Sequence, residues 1–169
     1  MSTTATHHPL YTPEQKLRRD ASVWTLVQGL LAPLQFLVFL VSLFLVLRCL
    51  TTGAGESAAL TSVVVKTLVL YTIMVTGCIW EKVVFGQYLF AAAFFWEDVF
   101  SMLVLALHTA YLYAWWTAAL TPTQQLWLAV AAYATYCINA TQFILKLRAA
   151  RLQAAAALSA TACSPAVAL

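Results

Sequence analysis

The chain has 169 residues, of which 63% are hydrophobic and only 9% charged, with a net charge of +3. A soluble domain carries about a quarter charged residues, so this composition excludes a water-exposed globular surface and implies one that faces lipid. The small positive excess is explained by membrane topology, and nothing in it argues for nucleic-acid binding.

Residues 1–22 form a polar segment. It lacks a short apolar stretch followed by a small-residue cleavage site, so no removable signal peptide is expected. A membrane span needs about 20 mostly apolar residues, and four stretches qualify: residues 23–50, 60–80, 94–119 and 125–145. The expected fold is all-α: a four-helix transmembrane domain over 23–148, followed by an alanine-rich tail over 149–169 that extends the last helix and frays. Glycines break the chain between the first two spans, and Pro122 fits the first turn of the fourth. The connection between the second and third is aromatic, from Tyr88 to Trp96. It is expected to lie in the interface or to extend the third helix. Cys49, Cys78, Cys137 and Cys163 show no ligand-like spacing and read as small hydrophobes.

Lysine and arginine set the orientation. Lys16, Arg18, Arg19, Lys82, Lys146, Arg148 and Arg151 fall on one side, against Arg48 and Lys66 on the other. Seven against two places both termini in the cytoplasm. Lys66, a little way into the second span, is expected to snorkel to the outer interface.

Ionisable groups inside a span cost about 2.5–3.5 kcal/mol each at the helix centre, so their faces and depths are informative. On the first span Gln28, Gln35 and Ser42 share a face, with Pro33 between them expected to kink the helix. On the third, Glu97, Ser101 and His108 are in phase, with Asp98 on the neighbouring stripe. On the fourth, Thr135, Asn139, Gln142 and Lys146 form a line, and the second span ends in Trp80-Glu81-Lys82. Most of these groups belong to the cytoplasmic half, with His108 about 16 Å deeper than Glu97. The pattern describes a polar pocket opening at the cytoplasmic interface. Plainer readings stand beside it: Glu97 and Asp98 as carboxylates favoured at a helix start, Glu81-Lys82 as an interfacial ion pair, Asn139 and Gln142 as interhelical glue, and His108 as a packing residue.

Several runs carry a resemblance: Tyr11-Thr-Pro-Glu-Gln15, Arg18-Arg-Asp-Ala-Ser22, Leu31-Ala-Pro-Leu-Gln-Phe36, Ile79-Trp-Glu-Lys-Val-Val-Phe-Gly86, Phe94-Phe-Trp-Glu-Asp-Val-Phe-Ser101 and Leu107-His-Thr-Ala-Tyr111. Together with the run over residues 65–77 they span most of the chain from Tyr11 to Leu147, and the whole resembles the 3-vinyl (bacterio)chlorophyllide hydratase family of phototrophic bacteria. One departure is the run Ala91-Ala-Ala93, where the family tends to have proline.

The resemblance implies addition of water across the C3 vinyl group of chlorophyllide a or 3-vinyl bacteriochlorophyllide a, in a bacterial inner or intracytoplasmic photosynthetic membrane. Other enzymes of bacteriochlorophyll synthesis are then candidate partners. No cofactor is expected, because hydration moves no electrons and the pigment brings its own magnesium. The expected catalytic groups are Glu97 as acid, with Asp98 or Glu81 as second carboxylate. Ser101, Gln28, Gln35, Asn139 and Gln142 are expected to line the pocket. Lys82, Arg18 or Arg19 would meet the pigment carboxylate, and His108 would ligate its magnesium or orient water. Two other functions remain open on the residues alone: a pigment-binding assembly protein, and a small proton-coupled transporter. A bis-histidine haem site is disfavoured, since among the spans only His108 is available.

Overall fold

In the computed structural model, residues 10–162 are described; Cys163 and the ends of the N-terminal segment and of the tail lie outside them. The described residues form five helices: α1 Pro13–Ala21, α2 Val23–Thr52, α3 Glu56–Phe85, α4 Phe95–Thr117 and α5 Pro122–Ala162. The last four are each long and apolar enough to cross a membrane, and the chain is a multi-pass membrane protein. The expected spans are all present. Each of the helices that form the second and fourth runs past its expected limits.

Local chemistry sets the boundaries. Ser22 caps α2 by accepting the Trp24 N–H at 3.2 Å, and Gly53 ends it in the left-handed region at φ 70°. Gly86, at φ 86°, ends α3. Thr121 and Gln124 form a reciprocal cap at the start of α5, with Pro122 in its first turn. Helix α2 continues through Pro33, which is exposed on the outside of the bundle; a membrane helix tolerates such a proline where local backbone adjustment re-satisfies the freed carbonyl. Helix α1 lies inside the segment expected to be merely polar. Its signal was present: Thr12 and Gln15 make a capping box around Pro13.

Packing follows two hairpins, α2 on α3 and α4 on α5, closed by α2 against α5 and α3 against both α4 and α5. The surface is apolar: Leu26, Leu30, Leu37, Phe44, Leu68 and Ile144 are all exposed. Lipid offers no hydrophobic drive to bury them, so helix association rests on packing and interhelical hydrogen bonds. Ser42 bridges Ser62 at 2.7 Å and Tyr133 at 2.6 Å, joining three helices. Gln28 of α2 donates to Thr76 of α3 at 2.7 Å, and the Tyr111 hydroxyl donates to the Leu60 carbonyl at 3.0 Å. Lys66 departs from expectation. It does not snorkel but is fully enclosed, at 0% exposure, with its Nζ 4.0 Å from the Tyr136 ring centroid. It falls in the buried stripe Ala59, Val63, Lys66, Leu70, and that helical face points inward.

Candidate active site

The end of the bundle that carries the start of α2 and the end of α3 gathers the carboxyl groups. Glu81 sits in the last turns of α3, and Glu97 and Asp98 in the first turn of α4; all three are buried, at 6%, 6% and 4% exposure. The segment between these helices folds back over them. Phe90 takes a left-handed backbone conformation, φ 59°, unusual for a bulky residue and a store of strain. That turn aims two successive amides inward. The Phe90 N–H donates to Asp98 Oδ2 at 2.7 Å, and the Ala91 amide meets the Glu81 carboxyl. Such consecutive N–H groups form a small anion cradle. The two carboxyls also touch each other, while Glu81 Oε2 has no hydrogen-bond partner among the described residues.

Glu97 has a different neighbour. Its Oε2 accepts from Lys146 Nζ at 2.6 Å, in an ion pair whose acid is 8% and whose lysine is 27% exposed. Lys146 lies seven residues beyond Asn139 on α5, on the same face, and Asn139 donates to Ser101 at 2.8 Å. Gln142, half-buried, lies between them on that helix.

Above these groups is a cleft of about 580 Å³, bordered by Gln15, Phe85, Gln87, Ala91–Ala93 and Lys146; ligand pockets range over about 300–1,000 Å³. An aromatic cluster flanks it. Tyr11 stacks on Phe85 at 5.8 Å, Phe85 and Trp80 each meet Phe94 at 5.8 Å, and Phe94 stacks on Phe143 at 5.8 Å. Arg19 lies 4.7 Å over the Tyr11 ring and pairs with Asp20 at 2.7 Å. Burial pushes the Tyr11 phenol above its ordinary range, against the lowering effect of Arg19. No carboxyl lines the cleft directly; it reaches the acids through Lys146, which pairs with Glu97, and through Ala91, next to Phe90. A second recess of about 360 Å³ is lined by Tyr71, Thr109 and aromatic residues near the far end of α4.

The structure therefore brings together Glu81, Asp98 and Glu97, with Ser101, Asn139 and Gln142 just below them. It does not bring in every expected residue. Lys82, expected to meet the pigment carboxylate, turns away to cap α3, donating to the Gly86 carbonyl at 2.8 Å and overlying Tyr88; the plainer reading of Glu81-Lys82 as an ion pair likewise gives way to this helix cap. Arg18 pairs with Glu14 at 3.8 Å on the exposed side of α1. Gln28 is engaged on the α2–α3 seam, and Gln35 and His108 are buried deeper in the bundle. Sequence reasoning missed the Phe90 and Ala91 amides, for which composition gives no signal, and the pairing role of Lys146, which its shared stripe with Asn139 had signalled.

Fold and site define a polytopic helical membrane protein with buried, paired carboxyl groups beneath an aromatic-flanked cleft at one end of the bundle. The chain belongs to the 2-vinyl bacteriochlorophyllide hydratase (BCHF) family, which it matches over residues 11–149. It is 65% identical to the 2-vinyl bacteriochlorophyllide hydratase of Cereibacter sphaeroides over 156 residues, covering 92% of this chain and 97% of that one. It is 68% identical to the protein of the same name from Rhodobacter capsulatus over 146 residues, covering 86% of this chain and 85% of that one. No solved structure matches the chain significantly.

Proposed function

We propose that the chain adds water across the C3 vinyl group of chlorophyllide a or 3-vinyl bacteriochlorophyllide a, giving the 3-(1-hydroxyethyl) pigment of bacteriochlorophyll synthesis. The "2-vinyl" of the relatives' names and the "3-vinyl" used here denote the same substituent in older and current macrocycle numbering. The observation that carries the reading is the contact between the buried carboxyls of Glu81 and Asp98 under the cleft, in a chain so similar to named hydratases. The protein works from the bacterial inner membrane with both termini, and hence the cleft, on the cytoplasmic side. It needs no cofactor of its own.

Two carboxyl groups in contact share a proton, because two adjacent carboxylates repel. That proton passes to the terminal vinyl carbon, making a methyl group and leaving positive charge on the inner carbon, delocalised into the macrocycle. Water attacks the inner carbon through oxygen, and the dyad, now ionised, takes the surplus proton and is restored. The Phe90 and Ala91 amides hold the carboxyls in place and stabilise them once ionised. Glu97, first in line for the acid on helical phase alone, is paired with Lys146 and steadies the cation instead. The flat ring stacks against Tyr11, Phe85 and Phe94, with its propionate among Gln15, Gln87 and Lys146. Arg18 and Lys82 are too far committed elsewhere to be first choices for that contact.

The test is direct. Membranes of a non-phototrophic host expressing the chain are incubated with chlorophyllide a, and extracted pigment is analysed by absorption and mass. A product heavier by one water, with its long-wavelength band moved to the blue, supports the reading. Pigment that co-purifies unchanged sinks it in favour of a pigment carrier.

A further inference from the structure

Below the carboxyl site the bundle interior does not turn apolar. From Glu81 towards mid-bundle, buried polar atoms without a hydrogen-bond partner among the described residues recur: Gln142 Oε1, Asn139 Oδ1, both amide atoms of Gln35, His108 Nε2 and Lys66 Nζ. They come from all four long helices. Gln35, His108 and Lys66 are 2%, 0% and 0% exposed, so neither bulk solvent nor lipid headgroups serve them. Orphaned groups at such depth are costly, and so many in one interior require a common explanation.

The contacts draw them into one place. Lys66 Nζ and the His108 ring each lie 5.9 Å from the Tyr133 ring centroid. Phe39, one turn beyond Gln35 on α2, packs on Tyr136 at 4.9 Å, the ring that Lys66 overlies. Asn139, one turn along α5 from Tyr136, reaches Ser101, which shares a face with His108.

Hydrogen-bond polarity selects the ligand. His108 Nδ1 lies 2.8 Å from the Val104 carbonyl and must carry the proton there, which leaves Nε2 as a bare acceptor. The Lys66 amine offers donors in either protonation state. A ligand serving both must accept from the lysine and donate to the imidazole. Water does this in the smallest volume; a halide has no proton for Nε2, and a metal cation offers no lone pair to the Lys66 donors.

We propose that these groups bind a column of water molecules, running from Lys66 and His108 at mid-bundle to the free oxygen of Glu81, from which the water added to the vinyl group is drawn. The column occupies the His108 lone pair, so His108 is a water-positioning residue and not a magnesium ligand. The supplying role rests on the hydratase reading; the presence of the column does not.

The experiment is hydroxyl-radical footprinting by X-ray radiolysis on the full chain in lipid nanodiscs, with no pigment and no activity readout. Radicals born from bound water label the side chains they touch regardless of exposure. The expected result is labelling of His108, Tyr133 and Tyr136 in the wild-type chain comparable to that of exposed Tyr88. In Lys66→Met, and independently in Gln35→Leu, labelling of His108 and Tyr136 falls severalfold while Tyr88 is unchanged. Wild-type protein in which Tyr88 labels but His108, Tyr133 and Tyr136 do not would overturn the proposal. So would unchanged labelling of the three in both variants. Should Lys66→Met fail to fold, the wild-type pattern and Gln35→Leu decide the matter alone.

Discussion

Replacing Asp98 by asparagine separates the chemistry of the carboxyl pair from its architecture. The introduced side-chain carbonyl would still accept the Phe90 N–H, now 2.7 Å from Asp98 Oδ2, and the new amide would donate to Glu81. A hydrogen bond to a charged group contributes about 1.5–3 kcal/mol and a neutral one about 0.5–1.5, so the substitution costs on the order of 1 kcal/mol of stability. Glu81 is left beside an amide that can neither share a proton with it nor take one back from water. General acid–base catalysis contributes about 10²- to 10⁴-fold, equivalent to about 3–5 kcal/mol in the barrier, and turnover of chlorophyllide a should fall by that factor. Pigment affinity should stay near wild type, because the ring and the propionate are held by other residues, among them Phe85, Gln15, Gln87 and Lys146. Glu81→Gln should behave alike, and the double variant should be little worse than either single one, as for residues acting as a unit. The assay is initial-rate conversion in membranes holding equal amounts of folded protein. Turnover by Asp98→Asn within a factor of a few of wild type would refute the dyad.

Other substitutions probe the supporting structure. Lys146→Met strands the buried Glu97 carboxylate; breaking an enclosed pair costs about 3–5 kcal/mol, and the partial exposure of this lysine brings that to about 2 kcal/mol. Adding Glu97→Gln should recover most of the loss in a detergent unfolding titration. Ser42→Ala removes the bridge to Ser62 and Tyr133 and should cost about 0.6–1.7 kcal/mol, the range for interhelical hydrogen bonds in membranes. Thr12→Ala removes one side of the α1 capping box, worth about 1 kcal/mol; hydrogen exchange in α1 should quicken while α2 to α5 stay protected. Phe90→Gly relieves a left-handed backbone that costs about 1–2 kcal/mol while keeping the amide that serves Asp98. Activity should persist, and a collapse of turnover in that variant would show that the Phe90 ring itself takes part.

The architecture was legible because its cause is one-dimensional: four apolar runs of spanning length and the glycines and Pro122 that bound them. Helical phase also located Glu97, Ser101 and Asn139 in a common interior, and Ser101 and Asn139 do meet there. Phase could not rank the carboxyls. Which acid touches which depends on the rotation of α3 against α4 and on a loop in which a phenylalanine, as well as Gly86, takes the left-handed conformation. Lys66 was misplaced for a related reason. Its depth suggested snorkelling, whereas its place on the stripe Ala59, Val63, Leu70 turned it inward, where the Tyr136 ring receives it. Helix α1 escaped notice although its capping box was written in Thr12, Pro13 and Gln15, because a segment of nine residues has no spanning length to announce it.

If this chain alone hydrates the vinyl group, the oxygen it adds must come from water and from no other source. The decisive measurement incubates the purified protein in nanodiscs with chlorophyllide a in water enriched in heavy oxygen, and reads the pigment mass. The expected result is a hydroxyethyl product whose new oxygen carries the label of the solvent. Unchanged pigment, or a hydroxylated product without the label, would contradict it.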